Sequence, residues 1–309
     1  MISIQQLINE AVSKPKAIVM AGGAGAGKSY LLNQLGLSSL PLHNPDKYVE
    51  DPDHPAYNKL STAVAQLNKD VAADVDNKRS FVWDTTASNP KKVKELIDAD
   101  YDVYMVMVYT HPMISYISNF SRQRNIPGSA VFSTWRNVYQ LIEQYNKMLG
   151  GNLSIFVNDR GGKFDKEIKE FDTAAKNGAA GIKDYLEKYN AKHNIGGSTF
   201  FEPVEMSQQE EEEFNRAIKG IDYDKGNRSE DKAVKKEFLK HYNKNGIAPG
   251  ADVLRKAIQK YRDGKVKSDQ RNSDVLDSIA DMVYNPTFQE LLKHSSPAEI
   301  DQNVQNFLK

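Results

Sequence analysis

Gly22-Gly23-Ala24-Gly25-Ala26-Gly27-Lys28-Ser29 is the stretch that decides the fold, and it follows the apolar run Ala17-Ile18-Val19-Met20-Ala21. It fits the pattern G-x-x-x-x-G-K-[ST] at every fixed position. Glycines here let the backbone point several N–H groups inward at a phosphate chain, and the following helix adds the positive end of its dipole. The sequence therefore predicts these nucleotide-binding residues: Gly22, Gly23, Ala24, Gly25, Ala26, Gly27, Lys28, Ser29 and Tyr30.

Two side chains of this loop carry its expected chemistry. Lys28 would reach the β- and γ-phosphates of ATP, and Ser29 would hold Mg²⁺. The apolar run before the loop reads as a strand and the residues after it as a helix. This context makes a plain glycine turn a poor explanation of the pattern.

Composition limits what the chain can be. Its 309 residues are 39% apolar, enough for one large or two small domains. The formal net charge is zero, so any contact with nucleic acid must come from a local groove rather than from overall attraction. The absence of cysteine excludes disulfides, thiolate metal sites and thiol catalysis.

No membrane segment is expected from the sequence. The N-terminus lacks a basic stretch followed by an apolar core, and the longest apolar run, near residues 103–109, has the length of a strand. We therefore expect a cytoplasmic protein, in agreement with a need for ATP.

The first half of the chain alternates short apolar runs with helical patterns, which is typical of βαβ units and a parallel sheet. Helical spacing over 61–78 and a cap-plus-proline start at Asn89-Pro90 place helices between the strands. We predict a doubly wound α/β domain over 1–160. Its five strands are predicted at 16–21, 39–43, 80–84, 102–109 and 153–157.

The second half, 161–309, is predicted to be an α-helical extension or second domain. Ser207 and Glu210 fit a capping box, and the glutamates that follow fit the exposed first turn of that helix better than a metal or partner site. Two short amphipathic helices are expected at 257–262 and 275–283.

Candidate catalytic residues follow the strands, because ligands in such sheets sit outside the carboxyl ends. Asp46 can accept the proton of an attacking hydroxyl, or it can be a turn aspartate after proline. Asp84 is placed to bind Mg²⁺ through water or to hold the acceptor. No glutamate follows Asp84 to activate water, which favours transfer to an organic hydroxyl over hydrolysis.

Three arginines and two histidines complete the candidates. Arg122, Arg124 and Arg136 can close over the nucleotide as a lid and neutralise charge on the phosphoryl group, or each can be a surface residue. His54 and His111 each precede proline and fit turns better than catalysis, and no histidine pair or mixed His/carboxylate cluster suggests a protein-bound metal.

Residues 16–159 resemble the P-loop kinases grouped around zeta toxins and phage polynucleotide kinases, including phage kinases that act on hydroxymethyluracil in DNA. Beside the loop, Asn44-Pro45-Asp46-Lys47-Tyr48 is similar to their base-bearing stretch, and 51–57 is similar to a segment that follows it in zeta toxins. The resemblance implies ATP binding, Asp46 as general base and an arginine lid at Arg122-Gln123-Arg124. One departure is Val49, where polynucleotide kinases have an arginine that grips the acceptor phosphate.

These features predict a P-loop kinase domain with a five-stranded parallel sheet, followed by an α-helical C-terminal region. The expected reaction is Mg²⁺-dependent transfer of the ATP γ-phosphoryl group to a hydroxyl of a nucleotide, nucleotide-sugar or nucleic acid, with a polynucleotide or modified-DNA kinase favoured. The alternatives are a nucleotide-switched protein that engages a partner through its helical region, and a zeta-type toxin that phosphorylates UDP-N-acetyl sugars. A phage-encoded protein would act in the host cytoplasm.

Overall fold

The computed structural model describes residues 14–37, 40–57, 59–121, 126–193, 195, 206–222, 228–292 and 295–309. Within these residues, tertiary contacts divide the chain into two compact units. Unit 1 comprises 1–185 and 277–309, and unit 2 comprises 186–276. The predicted boundary at residue 160 stays a prediction.

Unit 1 is built on a five-stranded, fully parallel sheet in the order β2-β3-β1-β4-β5. Buried apolar side chains occupy nearly every position of the central strands, as expected of a sheet covered on both faces. The predicted α/β fold is confirmed. The strands are β1 (Lys16–Ala21), β2 (Leu42–His43), β3 (Phe81–Asp84), β4 (Asp102–Tyr109) and β5 (Leu153–Val157).

Two strands are shorter than predicted. β2 starts at Leu42 instead of residue 39, because Pro41 has no N–H for the ladder and contributes only its carbonyl, which accepts from the N–H of Val82. Residue 39 lies outside the described residues. β3 starts one residue late, because Ser80 uses its hydroxyl to accept the N–H of Lys16.

Helices connect these strands and cover the sheet. Asn89 and His111 each accept a backbone N–H at a helix start that carries proline, as capping chemistry requires. A further helix begins at Gly128, directly after Pro127. The helices up to residue 193 are α1 (Lys28–Gln34), α2 (Asp46–Val49), α3 (Leu60–Asp76), α4 (Pro90–Asp98), α5 (Pro112–Phe120), α6 (Gly128–Tyr139), α7 (Ile142–Leu149), α8 (Asp165–Ala175) and α9 (Gly178–His193).

The remaining helices are α10 (Gln208–Ile218), α11 (Arg228–Asn245), α12 (Ala251–Tyr284), α13 (Pro286–Leu291) and α14 (Pro297–Leu308). The capping box of Ser207 and Glu210 is confirmed at the start of α10. The prediction of two short helices at 257–262 and 275–283 is wrong, because both ranges belong to the single helix α12. The polar tract between them contains no proline, so nothing interrupts the helical hydrogen bonds.

Each unit has its own apolar core. In unit 1, side chains of β1 and β4 pack with Leu31 of α1, with Leu35 directly after it, and with Ile300 and Val304 of α14. In unit 2, six buried side chains form a core, five from α10, α11 and α12 and one from Ile221, three residues beyond α10: Phe214, Ile221, Val234, Phe238, Leu254 and Ile258. None of the described helices is long and apolar enough to cross a bilayer.

Candidate active site

The carboxyl ends of all five strands lie at one edge of the sheet, because every strand pair is parallel. The glycine-rich loop 22–29 follows β1 at this edge, Asn44 follows β2, Asp84 ends β3, and Asn158 follows β5. This is the edge at which ligands bind in open α/β sheets.

Glycine is required at three positions of the loop. Gly22, Gly25 and Gly27 have φ of 152°, 76° and 96°. A Cβ atom would lie 2.7 Å from the carbonyl oxygen of Val108 at Gly22 and 2.7 Å from that of Ser115 at Gly25. At Gly27 it would overlap Nδ2 of Asn158. The loop therefore lies directly against β4, α5 and the end of β5, and side chains would push it away.

Residues that follow β5 donate hydrogen bonds to carbonyl groups of the loop. Asn158 Nδ2 donates to the carbonyl of Ala26 at 2.8 Å, and Arg160 Nη2 donates to the carbonyl of Gly25 at 3.2 Å. Arg160 has φ of 59°, an uncommon conformation for a residue with a side chain. Strained backbone of this kind concentrates at functional sites.

Tyr139 of α6 holds the other side of the loop. Its hydroxyl accepts the N–H of Gly23 at 3.2 Å and donates to the carbonyl of Val108 at 2.7 Å. Burial raises the pKa of Tyr139 well above its ordinary value, so the hydroxyl keeps the proton that this second bond needs.

A chain of polar contacts connects the loop with the candidate base. Lys28 Nζ donates to the carbonyl of Gly22 at 3.1 Å and lies 3.8 Å from Oδ1 of Asp84. Asn44 Nδ2 donates to Oδ2 of Asp84 at 3.0 Å, and Asn44 Oδ1 accepts the N–H of Asp46 at 2.8 Å. Asp84 is buried, at 5% exposure, and its two carboxylate oxygens face Lys28 Nζ and Asn44 Nδ2.

Asp46 opens the short helix α2 and is half-buried. The same helix carries Tyr48, whose hydroxyl donates to Asp70 of α3. Burial, together with this hydrogen bond and the negative charge of Asp70, raises the pKa of Tyr48 to about 12. The stretch that follows β2 is thus fixed both at Asn44 and at Tyr48.

The other predicted site residues lie in different surroundings. Ser29 and Tyr30 are exposed in the first turn of α1, with Tyr30 at 54%. Arg136 is in the last turn of α6, and its Nε and Nη2 donate to Oδ1 of Asn137. Arg122 and Arg124 lie outside the described residues.

The predicted turn roles of the two histidines are confirmed. Nδ1 of His54 accepts the N–H of Ala56, and Nδ1 of His111 accepts the N–H of Met113. Within the described residues, no group of three or more His, Cys, Asp or Glu could hold a metal ion. A metal bound beside Ser29 and Asp84 would therefore need oxygen ligands from outside the protein.

Sequence reasoning missed three residues at this edge: Asn44 as the link to Asp84, and Asn158 and Arg160 as supports of the loop. Their common signal is position, because Asn44 and Asn158 are the first residues after a strand. Arg160 Nε is buried and has no hydrogen-bond partner among the described residues. A half-buried cation beside the loop, together with the close glycine packing, suits an anionic ligand.

A comparison with known protein families finds a match, and it lies in the first half of the chain. The zeta toxin family model matches residues 2–143, which include the loop and the ends of β1 to β4. No curated protein matches the chain. The match stops before β5, so Asn158 and Arg160 lie outside it.

Solved structures offer distant likenesses. One from the PezAT chromosomal toxin-antitoxin system of Streptococcus pneumoniae is 17% identical, over 48% of this chain and 70% of that chain, with a TM-score of 0.36. AvrRxo1-ORF1:-ORF2 with ATP is 13% identical over 88% and 81%, with a TM-score of 0.42. The sulfotransferase domain of the olefin synthase of Synechococcus PCC 7002 is 14% identical over 56% and 73%, with a TM-score of 0.31.

These structural likenesses are too distant to transfer any property. The sheet, the loop and the family match over residues 2–143 together give a P-loop kinase-like α/β fold similar to that of the zeta toxins, compatible with ATP-dependent phosphotransfer.

Proposed function

We propose that the protein is an ATP-dependent phosphotransferase that moves the γ-phosphoryl group to a hydroxyl of a nucleotide, nucleotide-sugar or nucleic acid. The observation that carries the proposal is the position of Asp84, whose carboxylate lies between Lys28 Nζ and Asn44 Nδ2. Asp84 thereby joins the loop predicted to bind phosphate to the segment that bears Asp46. A donor site and an acceptor site are adjacent.

In this proposal the loop 22–29 holds the triphosphate of ATP, and Lys28 exchanges its contact with the carbonyl of Gly22 for the β- and γ-phosphates. Ser29 and Asp84 would hold Mg²⁺. The ion would neutralise charge on the β- and γ-phosphates. Arg160 and Asn158 keep the loop in a binding conformation before the nucleotide arrives.

Asp46 is proposed as the general base. The acceptor hydroxyl oxygen forms a bond to the γ-phosphorus while the bond from that phosphorus to the β–γ bridging oxygen breaks, and ADP leaves. The hydroxyl proton passes to the carboxylate of Asp46. Because phosphoryl transfer passes through a loose transition state, positioning and charge neutralisation contribute more than the proton transfer.

Arg122, Arg124 and Arg136 are proposed to close over the phosphates and to neutralise the charge that spreads onto the γ-phosphoryl oxygens. Residues 85 and 86, which follow Asp84, are threonines, so no glutamate stands there to activate water. This absence supports transfer over hydrolysis. We place the reaction in the cytoplasm, or in the host cytoplasm for a phage-encoded protein, where ATP is available.

A transfer assay with γ-labelled ATP tests the proposal. The acceptor panel contains hydroxyl-ended DNA and RNA, hydroxymethyluracil DNA, nucleosides and UDP-N-acetyl sugars. We expect label on one class of acceptor, with DNA favoured, and no label with the Lys28→Ala variant. ATP binding with no labelled acceptor would instead support a nucleotide-switched protein that engages a partner through its helical region.

A zeta-type toxin is the second candidate, supported by the family match over residues 2–143. This candidate would phosphorylate UDP-N-acetyl sugars. Expression in bacteria separates the two: growth arrest that is lost with Lys28→Ala, together with label on UDP-N-acetyl sugars, supports the toxin, and unimpaired growth of expressing cells counts against it.

A further inference from the structure

Helix α12 carries an exposed row of cations. Lys256, Lys260, Lys267 and Arg271 are all exposed, and we call these four residues the basic stripe. At 3.6 residues per turn they fall within an arc of about 60° and extend along about 22 Å of the helix. Between residues 255 and 271 the sequence has seven Lys or Arg and two Asp residues, a net charge of +5 in a chain whose total is zero.

Three aspartates, Asp252, Asp263 and Asp274, lie on the same face of α12 as the stripe, and each has another partner. Asp252 pairs with Arg255, Asp263 accepts a hydrogen bond from Gln259, and Asp274 accepts one from Gln270. Among the described residues, no carboxylate forms an ion pair with a member of the stripe. The four cations of the stripe are therefore exposed to solvent and, within the part of the chain that the structure describes, without a direct ion pair.

The face opposite the stripe is the buried one. Leu254 and Ile258 of α12 lie in the core of unit 2, about half a turn away from Lys256 and Lys260. Every residue from 262 to 271 is exposed, so this part of the helix has no apolar face to bury. The stripe consequently contributes nothing to the core, and folding does not explain its charge.

Helix α11 of the same unit has a second row, Lys232, Lys236, Lys240 and Lys244, each four residues from the next. Two of its three acidic residues pair with other cations: Asp231 with Lys235, and Glu230 with Arg262 of α12. Both helices of the unit thus carry a row of Lys or Arg side chains along one side.

We propose that the basic stripe binds a polynucleotide through its phosphates. A row of Lys and Arg with no apolar or aromatic side chain among its members suits a regular polyanion, and counterion release makes such binding favourable without base contacts. The stripe then serves to concentrate a nucleic-acid acceptor. That last link rests on the proposed phosphotransferase function, whereas the binding itself does not.

The test is fluorescence anisotropy with a fluorescein-labelled 20-nucleotide DNA strand and its duplex, titrated with the full chain at several KCl concentrations. The stripe variant carries Lys256→Gln, Lys260→Gln, Lys267→Gln and Arg271→Gln. The control variant carries four substitutions of exposed lysines in unit 1, which remove the same charge: Lys69→Gln, Lys169→Gln, Lys176→Gln and Lys183→Gln.

We expect the stripe variant to bind at least tenfold more weakly, and the slope of log K against log salt to fall in magnitude by about 3, as the loss of four phosphate contacts requires. The control variant should bind as the parent does. Equal binding by the parent and the stripe variant would overturn the proposal, as would absence of binding by the parent at 50 mM KCl.

Two further measurements ask which polyanion the stripe binds and whether the stripe delivers the acceptor. Labelled polyglutamate that binds the parent as tightly as DNA would show an acidic protein surface as the partner and would overturn the assignment. In the phosphotransfer assay, the stripe variant should raise the KM for a polynucleotide acceptor and leave the KM for ATP unchanged. If neither KM changes, the stripe does not deliver the acceptor, even where Lys28→Ala shows that the phosphotransferase proposal holds.

Discussion

Asp84 is the residue on which the site depends, because one buried carboxylate serves two donors from different segments. Lys28 lies 3.8 Å from one of its oxygens and Asn44 Nδ2 donates to the other at 3.0 Å. Removing either donor takes one charge-assisted contact from this buried carboxylate. The same carboxylate is thus proposed to orient Lys28, to place Asn44 and to bind Mg²⁺.

Asp46→Asn tests the proposed base. Turnover should fall by about 10² or more, since general-base help is worth roughly 10² to 10⁴, while ATP affinity stays nearly unchanged because Asp46 does not belong to the loop. Steady-state transfer rates and ATP titration measure the two effects. A parallel fall in affinity and turnover would make Asp46 a metal or structural residue.

Arg160→Ala tests the support of the loop beyond β5. It removes the bond to the carbonyl of Gly25, and a hydrogen bond from a charged group is worth about 1.5–3 kcal/mol, so ATP affinity should fall by about tenfold or more. Lys163→Ala is the control, since it removes an exposed cation three residues away. Equal ATP affinity of the two variants would remove Arg160 from the site.

For single residues, the sequence predicts those that belong to a local motif. It misses those whose contacts are with residues far away in the chain. Lys28 and Asp84 can be predicted because Lys28 belongs to a motif and Asp84 lies at the end of a strand. Asn158 and Arg160 cannot, since their partners Ala26 and Gly25 are more than 130 residues away in the chain. Only the order of strands in the sheet brings them to the loop.

The loop and the end of β5 behave as one element, because Gly27 leaves no room for a side chain beside Asn158. Asn158 is itself buried, at 6% exposure, and its amide is committed to Ala26, so it cannot move aside cheaply. The loop conformation is therefore tied to the sheet rather than to its own glycines alone.

Gly27→Ala against Gly36→Ala tests this coupling. Both glycines have positive φ, at 96° and 58°, but a Cβ at Gly36 meets nothing within 4 Å. Gly36→Ala should cost about 1–2 kcal/mol of backbone strain and leave ATP affinity unchanged. Gly27→Ala should cost more in urea denaturation and also weaken ATP binding. Equal losses for the two variants would show that the loop is not packed against β5.

Element boundaries show which local signals are decisive. The prediction of α4 succeeds because Asn89 and Pro90 supply both cap and first-turn geometry. The prediction of two helices within α12 fails because the amphipathic pattern stops in the polar tract between them, whereas the tract contains no proline and the helix continues through Gly264. An exposed tract such as 262–271 leaves no hydrophobic pattern to reveal that the helix continues.

At the scale of the whole molecule, unit 1 contains both an N-terminal and a C-terminal part of the chain. Ile300 and Val304 of α14 are fully buried in the core formed by β1, β4 and α1. Sequence patterns could not predict this packing, because the apolar face of an amphipathic helix shows that the helix is partly buried but not which surface it packs against. A chain ending at residue 160 would leave that part of the core open to water.

Ile300→Ala should therefore lower the free energy of unfolding of unit 1 by about 2–5 kcal/mol, as expected of a fully buried isoleucine. Gln302→Ala, on the exposed side of the same helix, should change it by no more than about 0.5 kcal/mol. Urea denaturation of both variants measures the difference. If Ile300→Ala cost as little as Gln302→Ala, α14 would not belong to the core.

The central claim is that the loop 22–29 holds ATP for transfer, and Lys28→Ala tests it most directly. Transfer of label from γ-labelled ATP to the preferred acceptor, measured beside ATP titration and far-UV circular dichroism, separates chemistry from folding. We predict that the variant keeps its fold, binds ATP more weakly and transfers no label. Undiminished transfer by Lys28→Ala would contradict the account.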